Sequence, residues 1–362
     1  MKRIIASVVV ATMLFTGCGK NPGTNEANVE ASETENTDIA QDGGSTDTEQ
    51  TDADTKEEGS YSFNYHLRPK RISDLYDEAH WEALFNLCDA LRAGEDTFKC
   101  ENVEAYNWAT DCSTLNALFP IGGLFTDDLS VRNEGFENGV GKIAYKIPKD
   151  EFVAKEVQFE EDICKVLNDN VKPDYTDFEK CLALFDFVES TCSYDYSDLE
   201  KLEPADLPLG GVYGCLYRKK GICNELANYY AYLLCQCDVD AFEIGGDGEE
   251  MMHSWTSVKL NGKNYHVDPT WGLKSESASW DNTGSLWLTY FLFTDSERDI
   301  SGFDNSSYAS SFFYDVADKV DCHADSEKYT PLHFNAFEKI DREKKILYYK
   351  EDGETKEFKY DD

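Results

Sequence analysis

Three residues in the second half of this 362-residue chain, Cys223, His253 and Asp268, are of the types that together activate a thiol. A cysteine becomes a nucleophile near neutral pH when its thiolate is stabilised, an imidazole takes the proton, and a carboxylate fixes the imidazole's tautomer. Gly221-Ile222-Cys223 precedes Leu226, Tyr230, Leu233, Leu234 and Cys237, whose helical spacings define one apolar face. Cys223 therefore falls at a helix N-terminus. There the unsatisfied N–H groups and the positive end of the helix dipole favour a thiolate, and the residue's own N–H can help hold an oxyanion.

The other two residues belong to a hairpin. Asn261-Gly262 is a two-residue turn signal flanked by runs from Met252 to Leu260 and from Lys263 to Asp268. A two-residue turn pairs Leu260 with Lys263, Val258 with Tyr265, Ser257 with His266 and Trp255 with Asp268. His253 then shares a sheet face with Asp268 as its diagonal neighbour, with Cβ atoms about 7 Å apart, within reach of a hydrogen bond. His266 lies on the same face but farther along, so His253 is the better base for a thiol beyond the open end of the hairpin. Each residue also has a plainer reading: a buried small cysteine, a satisfied sheet histidine, and an aspartate that starts a turn before Pro269. The joint placement favours the chemistry.

The elements that must carry these residues are legible around them. Arg71 to Ala93 reads as a helix through Leu75, Ala79, Leu84, Leu87, Cys88 and Leu91, with Gly94 as its C-cap. Lys142 to Pro148 alternates Ile143, Tyr145 and Ile147 as a half-buried strand does, and Asp150 to Asn168 reads as an amphipathic helix. Thr176 and Glu179 form a capping box ahead of Phe178, Leu182, Phe185, Val188 and Cys192, which predicts a helix ending near Ser193. Near the C-terminus, Lys345 to Tyr349 and Thr355 to Tyr360 read as a hairpin at the sheet edge or on a small appendage.

Composition narrows the partners. The chain carries 34 Lys+Arg against 71 Asp+Glu, a net charge of -37, and 42 Tyr+Phe, 21 of each. That apolar content excludes wholesale disorder, and at about 150 residues per domain the length suggests roughly two domains. The charge excludes nucleic acid and anionic surfaces as general partners and favours neutral or basic ones. Lys2 and Arg3 precede an apolar run from Ile4 to Phe15, within the length of a secretory signal and too short to span a bilayer. Phe15-Thr16-Gly17-Cys18 resembles a bacterial lipobox, which implies a signal peptide at 1–17 cleaved before Cys18, with lipid attached to Cys18; an ordinary secretory signal is the alternative. Residues 19–60 hold 12 acidic and 2 basic residues, or -10, and no aromatic, so 18–60 reads as a lipidated cysteine and a disordered tether of about 35 Å root-mean-square reach. With the +2 of the signal, the rest of the chain carries -29.

Beyond these local signals, Tyr213-Gly214-Cys215-Leu216, Gly221-Ile222-Cys223, His253-Ser254-Trp255 and Tyr265-His266-Val267-Asp268-Pro269-Thr270-Trp271 resemble the core of the transglutaminase-like superfamily, a papain-like cysteine fold. Tyr290 to Asp295 and the helix from Thr176 running into Tyr194-Asp195 resemble flanking segments of its bacterial members, so the likeness covers roughly 175–300. It implies an α+β fold with the catalytic cysteine at a helix N-terminus packed against an antiparallel sheet. The chain then divides into an N-terminal helix-and-strand region at 61–170, the transglutaminase-like core at 171–320 and a C-terminal strand or hairpin segment at 321–362. By position, Cys223 is the implied nucleophile, His253 the base and Asp268 the orienting acid. One departure is that Asn224-Glu225-Leu226-Ala227 stands where Gly-Tyr-Ala is usual. A Glu two residues past the thiol opposes thiolate formation by like charge while favouring the helix start.

The resemblance implies an acyl-enzyme, which the lipobox would place on a surface-anchored chain: the thiol attacks a carboxamide or peptide carbonyl, and His253 protonates the leaving amine. Release to water makes a protease or amidase, the favoured reading; release to an amine makes a cross-linking transglutaminase; retention of the fold without catalysis makes a binding module. A polar side chain completing the oxyanion hole is expected upstream, with Tyr213 and Tyr217 as candidates. The expected partners are a neutral or basic peptide or protein and, through lipid, the membrane on the extracytoplasmic side. No cofactor is implied. The sequence has no HExxH, paired CxxC or EF-hand loop, so no metal site is expected; Cys235 and Cys237 read as a helix end over a metal clip, and Asp315, Asp318 and Asp321 as a solvated face, with weak calcium binding as the alternative. Cys88, Cys181 and Cys192 occupy helix core positions, so the export signal does not by itself establish disulfides.

Overall fold

A computed structural model describes residues 60–128, 135–196, 210–247, 252–277, 285–299 and 320–360. The signal, Cys18, the tether up to residue 59, Asp315 and Asp318 lie outside the described residues. The first long helix, α1 (Glu78–Ala93), starts where the Asp77 carboxylate accepts from His80 N and stops at Gly94, whose φ of 66° places it in the left-handed region. It begins seven residues later than its apolar spacing suggests. Lys70–Ile72 is instead a 3-10 turn, and Arg71 leaves it to donate to Ser257 Oγ at 2.8 Å and Ser257 O at 2.9 Å and to pair with Asp240 at 3.2 Å. Those partners are remote in sequence, so no local pattern announces them.

Next come β1 (Thr97–Lys99), α2 (Val103–Thr110), α3 (Cys112–Leu118), α4 (Pro120–Phe125), β2 (Phe136–Glu137) and β3 (Val140–Lys142). The strand expected over 142–148 is not formed: β3 ends at Lys142, between β1 and β2. Beyond it Ile143 N donates to Asp96 O and Lys146 N to Phe125 O, with a single bridge between Tyr145 and Thr126. Alternation alone does not make a strand where only loop and a helix end lie alongside to pair with it. Helix α5 (Lys149–Asn170) forms as expected, as does α6 (Asp177–Thr191), with Thr176 N donating to Glu179 Oε2 at 2.8 Å and Glu179 N to Thr176 Oγ1 at 3.3 Å.

The centre follows from β4 (Ser193–Tyr194), α7 (Gly211–Arg218), β5 (Lys220–Gly221) and α8 (Cys223–Gln236), then β6 (Ala241–Asp247), β7 (Met252–Leu260) and β8 (Lys263–Val267). The last three form an antiparallel sheet in the order β6-β7-β8. Helix α8 buries Leu226, Tyr230, Leu233 and Leu234, and Thr256 Oγ1 of β7 donates to Ala227 O at 2.8 Å, fixing helix against sheet. The hairpin register is the expected one, with Leu260 opposite Lys263, Val258 opposite Tyr265 and Ser257 opposite His266. Asn261 and Gly262 have φ of 51° and 78°, as a type I′ turn requires. Regular pairing ends at Thr256 and Val267, so Asp268 lies one step past the ladder, at the cap of α9 (Pro269–Gly272).

Three C-terminal strands, β9 (Ala336–Asp341), β10 (Ile346–Glu351) and β11 (Glu354–Lys359), form a separate antiparallel sheet. Its β10–β11 hairpin was legible; β9 was not. The sheet docks on α6, where Tyr360 O–H donates to Glu179 Oε1 at 2.5 Å and Lys345 Nζ at 3.1 Å. Residues 57–362 make one compact α+β unit, so the N-terminal helices and the central core pack as one body. The eleven described cysteines are free thiols, and no described helix is long and apolar enough to cross a membrane.

Candidate active site

Cys223 is the first residue of α8, preceded by Ile222 in extended conformation. The chain reaches this point through β5, which pairs in parallel with β4: Tyr194 lies opposite Gly221, and Asp195 N donates to Gly221 O at 3.0 Å. A Cβ on Gly221 would sit 2.7 Å from Cys215 Sγ, so glycine is what lets β5 pass α7 this closely. Glu225 is held by two backbone donors. Its Oε2 accepts from Ile222 N at 3.0 Å and its Oε1 from Gly211 N at 2.7 Å. As its place in the first turn predicts, the carboxylate favours the helix start: it caps α8 and also ties it to the start of α7.

His253 stands on β7 and Asp268 just past β8, 5 % and 2 % exposed. His253 Nε2 meets Asp268 Oδ2 at 2.6 Å. Asp268 Oδ1 is held by Thr270 N at 2.9 Å and Trp271 N at 3.1 Å, and Asp268 N donates to Tyr290 O at 2.9 Å. The carboxylate thus caps α9 with one oxygen and orients the imidazole with the other. With Nε2 taken by Asp268, Nδ1 is the ring nitrogen left to face Cys223, whose side chain also acts on the imidazole. Burial pushes the imidazole's pKa down, but the Asp268 charge and hydrogen bond, with the contact to Cys223, carry it up to about 10. Trp271 stacks on the ring with centroids 5.0 Å apart, and Trp255 lies 6.2 Å away at a similar tilt. The structure brings Cys223, His253 and Asp268 together in one site.

Tyr194 reaches the same cysteine: burial first, then the neighbouring Cys223 charge, push its phenol pKa up to about 12. Tyr217 O–H donates to Asp162 at 2.9 Å, and Tyr213 stacks on Phe159 with centroids 6.1 Å apart. Tyr194 was visible in the sequence only as part of a flanking likeness, since nothing local says that residues 193–194 pair with 220–221.

His266 is fully buried and committed elsewhere: Trp255 Nε1 donates to its Nδ1 at 3.0 Å, and its Nε2 meets Asp295 Oδ1 at 2.6 Å. The second oxygen of Asp295 meets His323 Nδ1 at 2.9 Å, which joins the 290–295 segment to β8 and to residue 323. Among the described residues no three His, Cys, Asp or Glu side chains are grouped to hold a metal ion. Cys235 ends its helix as a donor to Ala241 O at 3.0 Å.

Residues 165–269 match the family model of the Transglutaminase-like superfamily, a span that contains Tyr194, Cys223, His253 and Asp268. This segment is a transglutaminase-like domain. Solved structures similar to the chain include a candidate cysteine protease from Cytophaga hutchinsonii, at 12 % identity over 36 % of each chain with a TM-score of 0.23. Another is a TGase at 15 % identity over 36 % of this chain and 40 % of that one, with a TM-score of 0.25. The chain thus spans well under two thirds of either structure. No curated protein matches it. The transglutaminase-like domain has the α+β, papain-like arrangement, with helix α8 presenting Cys223 beside a sheet that carries the histidine.

Proposed function

We propose that the transglutaminase-like domain is a cysteine acyl-transfer enzyme that opens peptide or carboxamide bonds by hydrolysis. The observation that carries this reading is the convergence on one thiol of a helix N-terminus, an imidazole backed by a carboxylate, and a phenol. In the first step the Cys223 thiolate attacks the carbonyl carbon, and the oxyanion accepts from Cys223 N–H and Tyr194 O–H. As the C–N bond breaks, His253 gives its Nδ1 proton to the leaving amine, and a thioester remains. Water then attacks the thioester, His253 takes its proton, and the thiolate departs. Cys223 is half-buried, which supports water as the acceptor, because transfer to an amine needs a site that excludes water.

The remainder of the reading follows from charge and the N-terminal pattern. Cys18 carries the lipid, residues 19–60 lift the domain from the outer face of a bacterial membrane, and the substrate is a neutral or lysine-rich peptide that the acidic domain does not repel. The test is product release from a lysine-containing peptide library with and without a primary amine. Hydrolysis unaffected by the amine and abolished in Cys223→Ala supports the proposal. Amine incorporation in its place makes the domain a transglutaminase, and equal signals in wild type and Cys223→Ala leave a binding module.

A further inference from the structure

The turn that presents Asp268 rests on a buried acid with no role in the chemistry above. Glu189, on α6, is 1 % exposed, and among the described residues neither carboxyl oxygen has a hydrogen-bond partner. Its carboxyl lies against α9: a Cβ built on Gly272 would fall 1.5 Å from Glu189 Oε1, 2.5 Å from its Cδ and 2.9 Å from Phe185 Cζ. Gly272 N in turn donates to Asp268 O at 3.2 Å, closing the turn whose N–H groups hold Asp268 Oδ1. The geometry points to Glu189 as a positioning residue: its carboxyl fills the place that Gly272 leaves open and thereby holds the Asp268 turn in register with His253.

Two further observations fit this role. A sealed carboxyl with both oxygens unbonded is costly, and an apolar side chain of the same length would suit the site better for stability alone. Residues that break such a rule concentrate where a site must be held in one geometry. The acid also faces charge: burial first, then Asp186 on its own helix, push its pKa well above the carboxylate range against the pull of Lys274, and Asp268 adds to the rise. Burial and the neighbouring carboxylates thus favour the protonated form of Glu189, which fills space beside Asp268.

The inference rests on the triad reading, so its test uses readouts that do not need turnover. One is the alkylation rate of Cys223 by iodoacetamide at pH 7, followed by peptide mass spectrometry. The other is the proton resonance of His253 Nε2–H, shifted far downfield by its short charge-assisted bond to Asp268. Glu189→Ala and Gly272→Ala are each expected to slow alkylation on the order of tenfold or more and to broaden or lose that resonance. The conservative Glu189→Gln is expected to keep both close to wild type, and the double variant Glu189→Ala/Gly272→Ala, which exchanges space for space, to regain them. Folded Glu189→Ala indistinguishable from wild type, or a double variant no better than Gly272→Ala, overturns the inference. If Gly272→Ala fails to fold, recovery of a cooperative melt and of the resonance in the double variant decides the same question. A wild-type protein that turns over no amide yet shows this pattern refutes the acyl-transfer reading and leaves the positioning role standing.

Discussion

His253 and Asp268 meet through a 2.6 Å hydrogen bond between two side chains almost sealed from solvent. Burial alone lowers an imidazole's pKa, so the rise to about 10 reflects Asp268 together with Cys223. That direction favours the protonated ring, which the proposed reaction needs when the amine leaves. The sign for stability follows: a pKa raised above its unfolded value contributes fully below about 6.5 and is lost as pH rises through about 10. In Asp268→Asn only burial and the thiol remain to act on the ring. Turnover and Cys223 alkylation at pH 8 are expected to fall on the order of 10³-fold or more, with the alkaline limit moving to lower pH. A pH–rate profile of alkylation checks this, and an alkaline limit unchanged in the variant would falsify it.

In the proposed reaction, Tyr194 supplies the second donor at the developing oxyanion. Tyr194→Phe removes that donor and keeps the ring packed, so kcat is expected to drop on the order of 10²-fold with KM little changed. Tyr217→Phe, which loses only the bond to Asp162, is expected to leave both constants near wild type. Equal losses in the two variants would mean that the phenols act through the fold and not on the carbonyl.

The parts of this site legible in the sequence are those set by short-range rules. A turn of two residues fixed the register from Leu260 to Ser257 and hence the diagonal between His253 and Asp268. A capping box and apolar spacing fixed α6 and α8. What escaped depends on pairings between distant segments: β4 with β5, which brings Tyr194 to the thiol, and Arg71 with Ser257 and Asp240, which shortens α1. Glu225 shows the limit within a single helix. Its position near Cys223 was plain, but the direction of its carboxylate depends on Gly211, fourteen residues away.

Glu225 makes that point testable. Glu225→Gln retains the size but leaves one acceptor oxygen for two backbone donors, so stability is expected to fall by about 1–2 kcal/mol in urea unfolding. Because the clamp holds the helix end at Cys223, alkylation is expected to slow as well. If like-charge opposition were its main effect, alkylation of Glu225→Gln would accelerate.

The segment behind the triad carries an acid-sensitive brace. His333 Nε2 donates to Phe291 O at 2.9 Å and its Nδ1 meets Glu297 Oε1 at 2.7 Å, next to Tyr290, whose carbonyl accepts from Asp268 N. Burial raises the Glu297 pKa, but the hydrogen bond and charge of His333, with the Thr294 N–H, bring it down to about 2. A depressed carboxylate contributes stability above its unfolded value of about 4.5 and loses it as pH falls towards 2, here up to about 3 kcal/mol. Urea unfolding of wild type at pH 7 and pH 3 is expected to show the larger part of this loss, about 2 kcal/mol, and Glu297→Gln to lack that component. The brace lies one residue from the Asp268 contact, so alkylation of Cys223 measured after a brief exposure to pH 3 is expected to report its loosening before the melt does. A wild type and Glu297→Gln with the same difference between the two pH values would remove this ion pair as the cause.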